Sequence, residues 1–151
     1  MADQNYPFAL PARLPQPFNG VFKYWKGLIR GRNSMPFWDD VNLTELSDWS
    51  DRLMLVDVFE DPQRFRLNDV GQQIQKRYGS DIKRKFVDEI DAKAPLDFFT
   101  AQASATVEAS APTLLKLDAR ARKGIKTKTY VRLLLPMWGN GRIEMLLGTI
   151  G

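Results

Sequence analysis

The sequence predicts an α+β domain: a five-stranded antiparallel sheet with helices over one face and an amphipathic helix flanking it on the amino-terminal side. Three observations point to it. Residues 112–151 fall into three runs of alternating apolar and polar residues, broken at 122–126 and at 138–142. The second break contains Asn140-Gly141, and Asn-Gly is the strongest short-range hairpin signal because both residues tolerate positive φ. Earlier, Leu53–Phe59 and Arg64–Val70 flank the turn Glu60-Asp61-Pro62-Gln63 and read as a first hairpin. Between the hairpin and the final meander lies a helical stretch long enough to cross the sheet.

Taken in order, residues 1–17 are rich in proline (Pro7, Pro11, Pro15, Pro17) and form either a flexible arm or a strap lying on the domain. Residues 18–30 form a helix, because Phe18, Val21, Phe22, Trp25, Leu28 and Ile29 recur at helical spacing with Lys23, Lys26 and Arg30 opposite. Gly31 and Pro36 end it. A short second helix covers 43–49, capped by Asn42 or Thr44. After the hairpin, Gly71 opens a short helix carrying Ile74 and Tyr78. Residues 80–93 are polar and held to the core by Phe86, Val87 and Ile90. Pro95 suits the first turn of a helix reaching to about residue 110, with Leu96, Phe99, Ala103 and Val107 on its apolar stripe. Strands follow at 113–121, 127–136 and 142–150; in the middle one Thr129, Val131, Leu133 and Leu135 alternate with Tyr130 and Arg132. The resulting division is an arm (1–17), a flanking helix and turn (18–36) and a domain (37–151).

Composition removes whole function classes. The 151 residues suit one domain with a real core, and four Trp and nine Phe supply large aromatic surface to bury. There is no His and no Cys. Ser-His-Asp and Cys-His relays, imidazole and thiolate metal sites, His-ligated haem and a thiol–flavin adduct are therefore all excluded. The carboxylate pairs Asp39-Asp40, Glu60-Asp61 and Asp88-Glu89 sit in polar loops and read as solvated turn residues or caps, so nothing here is read as catalytic and no metal site is expected. No apolar run is long enough to span a bilayer, and residues 1–18 lack a secretory h-region, which makes the expected location cytoplasmic. The net charge of +4 is uneven: residues 39–61 are acidic, while Lys116, Arg120, Arg122, Lys123, Lys126, Lys128 and Arg132 make the late strands basic. A solvated sheet face accounts for those cations; a nucleic-acid-binding surface is the alternative.

This element order resembles that of PAS domains, and residues carry the likeness further. Tyr24-Trp25, Leu28, Gly31-Arg32, Pro36 and Asp39-Asp40-Val41 resemble the opening of a short bacterial stand-alone PAS family. Leu53-Met54-Leu55-Val56-Asp57-Val58 stands where that family has its first strand. Phe65-Arg66-Leu67, Val70-Gly71, Ile74, Tyr78-Gly79 and Asp81-Ile82 resemble its next block, and residues 130–137 with Gly141 and Met145-Leu146-Leu147-Gly148 its closing strands. Ser80, Lys83-Arg84-Lys85 and Asn68-Asp69 depart from the pattern.

The resemblance implies a sensory or regulatory domain that binds a small molecule, a protein partner or both, and signals by protein–protein contact. Its ligand site lies between the inner sheet face and the helical middle, with Phe65, Asn68, Tyr78, Phe86, Phe98, Phe99, Tyr130 and Leu133 as candidate lining, unless those aromatics simply fill the core. Any cofactor is unknown. Helices flanking such cores commonly mediate dimers, so Phe18, Val21, Phe22, Tyr24, Trp25, Leu28 and Ile29 are candidate interface residues, the other reading being a helix packed on its own sheet. The alternatives are a constitutive interaction or scaffold module with a filled core, and the nucleic-acid binder named above. The sequence ends with its last strand, so the expectation is that any signal leaves through the outer sheet face or the helix around Trp25.

Overall fold

The structure, a computed structural model, describes residues 8–78, 82–90, 98–119 and 128–150. Among these, five strands make one antiparallel sheet: β1 (Leu53–Phe59), β2 (Arg64–Val70), β3 (Thr113–Ala119), β4 (Lys128–Gly139) and β5 (Arg142–Ile150), in the order β2-β1-β5-β4-β3. The α+β class and the five-stranded antiparallel sheet read from the sequence are therefore those of the protein. Three α-helices accompany it: α1 (Gln16–Gly27), α2 (Gln72–Tyr78) and α3 (Phe99–Ala109), with 3₁₀ turns at Trp38–Asp40, Leu43–Arg52 and Val87–Glu89.

Local chemistry explains most boundaries. The β4–β5 hairpin turns on Asn140 and Gly141, both at positive φ (50° and 78°), which is the two-residue turn whose twist matches the strands. β4 runs past Pro136 to Gly139, three residues further than expected. Proline is tolerated there because β3 pairs only as far as Leu134, so Pro136 sits where β4 has no β3 neighbour. The main chain of Pro36 and Phe37 takes up the vacant edge, with the Trp138 N–H donating to Pro36 O at 2.8 Å. α1 starts two residues earlier than its apolar pattern, since Pro17 fits the first helical turn, and stops at Gly27 rather than Gly31. The segment Leu43–Arg52 is 3₁₀ helix kinked at Leu46, with Asn42 capping it through the Thr44 N–H (3.0 Å). The proposed start of the last helix at Pro95, and the basic residues 120–127, lie outside the described residues.

The pleat sorts the sheet into two faces. Val56, Val58, Phe65, Leu67, Leu134 and Leu146 lie on the inner face, which α3 covers. Leu133, Leu135, Met137 and Leu147 lie on the other face, where α1 packs on β4. Both sets are buried, and they join one continuous hydrophobic core with Phe18, Val21 and Trp25. Full burial of a Leu or Phe contributes roughly 1.5–3 kcal/mol, which is why the two layers hold. α1 is centred on β4 rather than on the β1–β2 hairpin. That difference in cover positions the site.

Candidate functional site

Several described side chains pack on the inner face, where the resemblance implies a ligand. Phe65 and Phe99 are buried there. Met54 and Leu134 close over Gly148, where even a Cβ would press against both. Arg132 is the largest fully buried side chain, 1% exposed, and lies under α3 instead of on the solvated face the alternation suggested. Its Nε donates to Gln102 Oε1 at 2.7 Å, and its guanidinium sits over the Phe99 ring at 4.9 Å. The Gln102 amide donates in turn to Arg132 O (3.0 Å) and Thr113 Oγ1 (3.1 Å), and Thr106 Oγ1 lies 2.6 Å from Thr113 Oγ1. A buried charge persists only when hydrogen-bonded in this way.

Of the eight candidate lining residues, Phe65 and Phe99 are on the inner face; four of the other six are placed elsewhere. Leu133 points to the α1 side, because it neighbours the inward Arg132 and Leu134 along a pleated strand. Asn68 occupies a bulge, the extra residue between the pairs Leu55–Asp69 and Val56–Leu67, and so turns to the outer face. Phe86 packs at a tilt against Phe59 (5.1 Å) and lies under Arg64 (3.7 Å), both outer-face residues. Phe98 is 67% exposed, since its left-handed backbone (φ 57°) turns the chain just before α3. The side chains of Tyr78 and Tyr130 lie outside those described.

The interface candidates on α1 also need correction. Phe18, Val21 and Trp25 are buried within the chain, and the Trp25 indole N–H donates to Pro136 O at 2.9 Å. This amphipathic helix uses its apolar stripe on its own sheet. Phe22, stacked on Trp25 (5.9 Å), Tyr24, Leu28 and Ile29 are half-buried. The Tyr24 hydroxyl accepts from the Asn42 N–H at 2.9 Å, and partial burial pushes its pKa up, with the charge of Glu45 adding to that shift.

Clefts open on the described surface away from Phe65, Phe99 and Arg132. One of them, of about 430 Å³, lies on the outer face over β1, β2 and β5. Leu55, Asp57 and Met145 form its floor, with Asn68 at one side. Its wall is the segment carrying Trp38, Asp39, Val41 and Leu43. That wall is fastened at both ends. Arg30 grips Asp40 with a two-pronged bond (2.9 and 2.6 Å), which raises the Arg30 pKa, and Tyr24 holds Asn42. Glu144 completes the cleft from a second bulge, opposite Met137 and Trp138.

Gly139 brings Trp38 and Glu144 together. A Cβ at that position would collide with the Trp38 indole and with the Glu144 carboxylate, so only glycine lets both lie against the strand. Both Glu144 oxygens accept from the Asn140 amide at 3.0 Å. Asp57 accepts from Arg66 Nε (3.0 Å) and from the Asn68 amide (3.1 Å). Asp39 has no hydrogen bond or ion pair among the described residues, and Arg30 beside it is already taken by Asp40. Sequence reasoning missed Trp38 and Glu144, which lie 106 residues apart; the outer-face signal available was Asp57, a lone carboxylate in an apolar strand.

A neighbouring cluster gives a pH dependence. Arg64 forks onto Asp88 (2.8 and 2.7 Å), and this hydrogen bonding holds the Asp88 pKa below the usual carboxylate value. The stabilisation is therefore present above the unfolded Asp value of about 3.9 and disappears as pH falls through the lowered folded value. Chemical denaturation is expected to find Asp88→Asn slightly less stable than the parent at neutral pH, and the two indistinguishable in strong acid. The effect is small because both partners are solvent-screened.

No protein-family model matches the chain, and no curated protein matches it. Among solved structures, the light-state structure of the LOV domain of the blue-light photoreceptor Aureochrome1 is similar at 9% identity and a TM-score of 0.45, over 74% of this chain and 88% of that one. Light sensing is a property of that protein. Among the described residues, no helix is long and apolar enough to cross a membrane.

Proposed function

We propose that this chain is a PAS-type sensory or regulatory domain that acts through protein–protein contact and recognises its input on the outer sheet face rather than in its interior. The observation that supports this reading is the open cleft on the outer face. The inner face is packed by Phe65, Phe99 and the Arg132–Gln102 pair, while the outer face holds a cleft of about 430 Å³, within the usual range for small-molecule sites. The cleft wall is tied to α1 through Tyr24 and Asn42, so a ligand there would bias how α1 packs, and with it the surface a partner or a second copy meets.

The packing of Phe65, Phe99, Gln102 and Arg132 on the inner face favours a second reading, a constitutive interaction module with no ligand. Native mass spectrometry of freshly purified protein, combined with thermal-shift measurements against metabolites of varied charge, separates the two. A retained molecule, or a melting shift confined to one chemical class, supports the sensor. A bare chain indifferent to every class leaves the constitutive module and ends the sensory reading.

A further inference from the structure

Resting on that reading, we infer that the outer-face cleft binds a small organic cation with an apolar body, an amine or guanidinium carried on a flat or aliphatic framework. Three features of the cleft point the same way. Its floor and wall contribute the apolar Leu55, Met145, Val41 and Leu43, which suit a hydrophobic body. Trp38 lines it while 42% exposed, and indole is the aromatic face that attracts a cation best. The charged groups lining it are Asp39, Asp57 and Glu144, with no Lys or Arg among the lining residues, although the chain as a whole carries a net charge of +4.

The three carboxylates are not equally available. Arg66 partly neutralises Asp57 from the β2 side, at 2.9 Å. Glu144 is oriented by the neutral Asn140 amide rather than by a cation, and Asp39 has no bonded partner among the described residues. An incoming ammonium is thus met by Asp39 and Glu144 at the rim beside Trp38, with its apolar part over Leu55 and Met145. Gly139 is the residue that permits this placement, because any side chain there displaces Trp38 and Glu144 together.

The test uses three probes of one shape and different charge on the full chain: phenethylamine, phenethyl alcohol and phenylacetate. Titrations followed by backbone amide NMR are expected to show saturable binding of the amine alone, with shifts centred on Leu55–Asp57 and residues 139–145. Trp38→Ala and Glu144→Gln are each expected to weaken it about tenfold or more, equivalent to roughly 1.4 kcal/mol. Trp38 is half-exposed and Glu144→Gln is isosteric, so both variants should retain the parent melting temperature, and that measurement accompanies the titration. Added salt should weaken the amine further. Equal binding of the alcohol or the acid would overturn the inference, as would binding that ignores both substitutions. Shifts confined to inner-face residues, or binding of a lysine-bearing peptide but not of the free amine, would do so too. If the amine fails while native mass spectrometry finds another retained molecule, the cation inference falls and the sensory reading stands.

Discussion

Replacing Trp25 by alanine is expected to lower the stability of the domain by about 3–5 kcal/mol, the usual cost of truncating a buried Trp to Ala. Trp25 is 3% exposed and is the joint between α1 and the sheet. Two losses combine. The indole leaves a cavity between Phe22 and the β4 surface, and Pro136 O loses its donor in a buried setting. Trp25→Phe separates them: it keeps most of the volume and should cost about 1–3 kcal/mol, the penalty of the stranded carbonyl. Urea titration reads both. If α1 were instead an arm reserved for a partner, the alanine variant would unfold within error of the parent. Because small domains have only about 5–15 kcal/mol in total, the expected loss is large enough to raise the unfolded fraction visibly.

The second large effect is expected at Gln102. Its amide is a hub, donating to Arg132 O and to Thr113 while its oxygen accepts from Arg132 Nε. Gln102→Leu keeps the volume but removes that acceptor from a guanidinium that remains in the core, at a cost of about 3 kcal/mol. Near-UV circular dichroism should change as well, since Phe99 lies under the same guanidinium. A variant as stable as the parent would mean that Gln102 does not hold Arg132. The sensory reading places no ligand at this network, so the stability loss should leave binding at the outer cleft intact below the melting temperature.

The strands were legible because alternation and turn chemistry are local. Asn140-Gly141 fixed one hairpin, and β1 and β2 begin and end where their apolar runs do. What alternation conveys is parity, however, and not which side a helix will cover. With Leu133 and Arg132 adjacent in β4, pattern reasoning turned the leucine inward and the arginine out; the protein does the reverse, because α1 supplies a second apolar layer and Gln102 supplies a partner for the charge. The bulge at Asn68 was equally hidden, since one inserted residue inverts a face without altering composition. The cleft itself joins Trp38, Asp57 and Glu144 through register and a close approach at Gly139. Such juxtapositions leave no periodic trace in a sequence.

The bond from Trp25 to Pro136 spans 111 residues. During synthesis at about 5–20 residues per second, α1 is therefore made roughly 5–20 seconds before the strand it rests on exists. For that interval the Trp25 indole N–H lacks the Pro136 carbonyl to which it donates in the folded domain. The joint between α1 and the sheet is thus one that the growing chain can complete only after β4 has emerged.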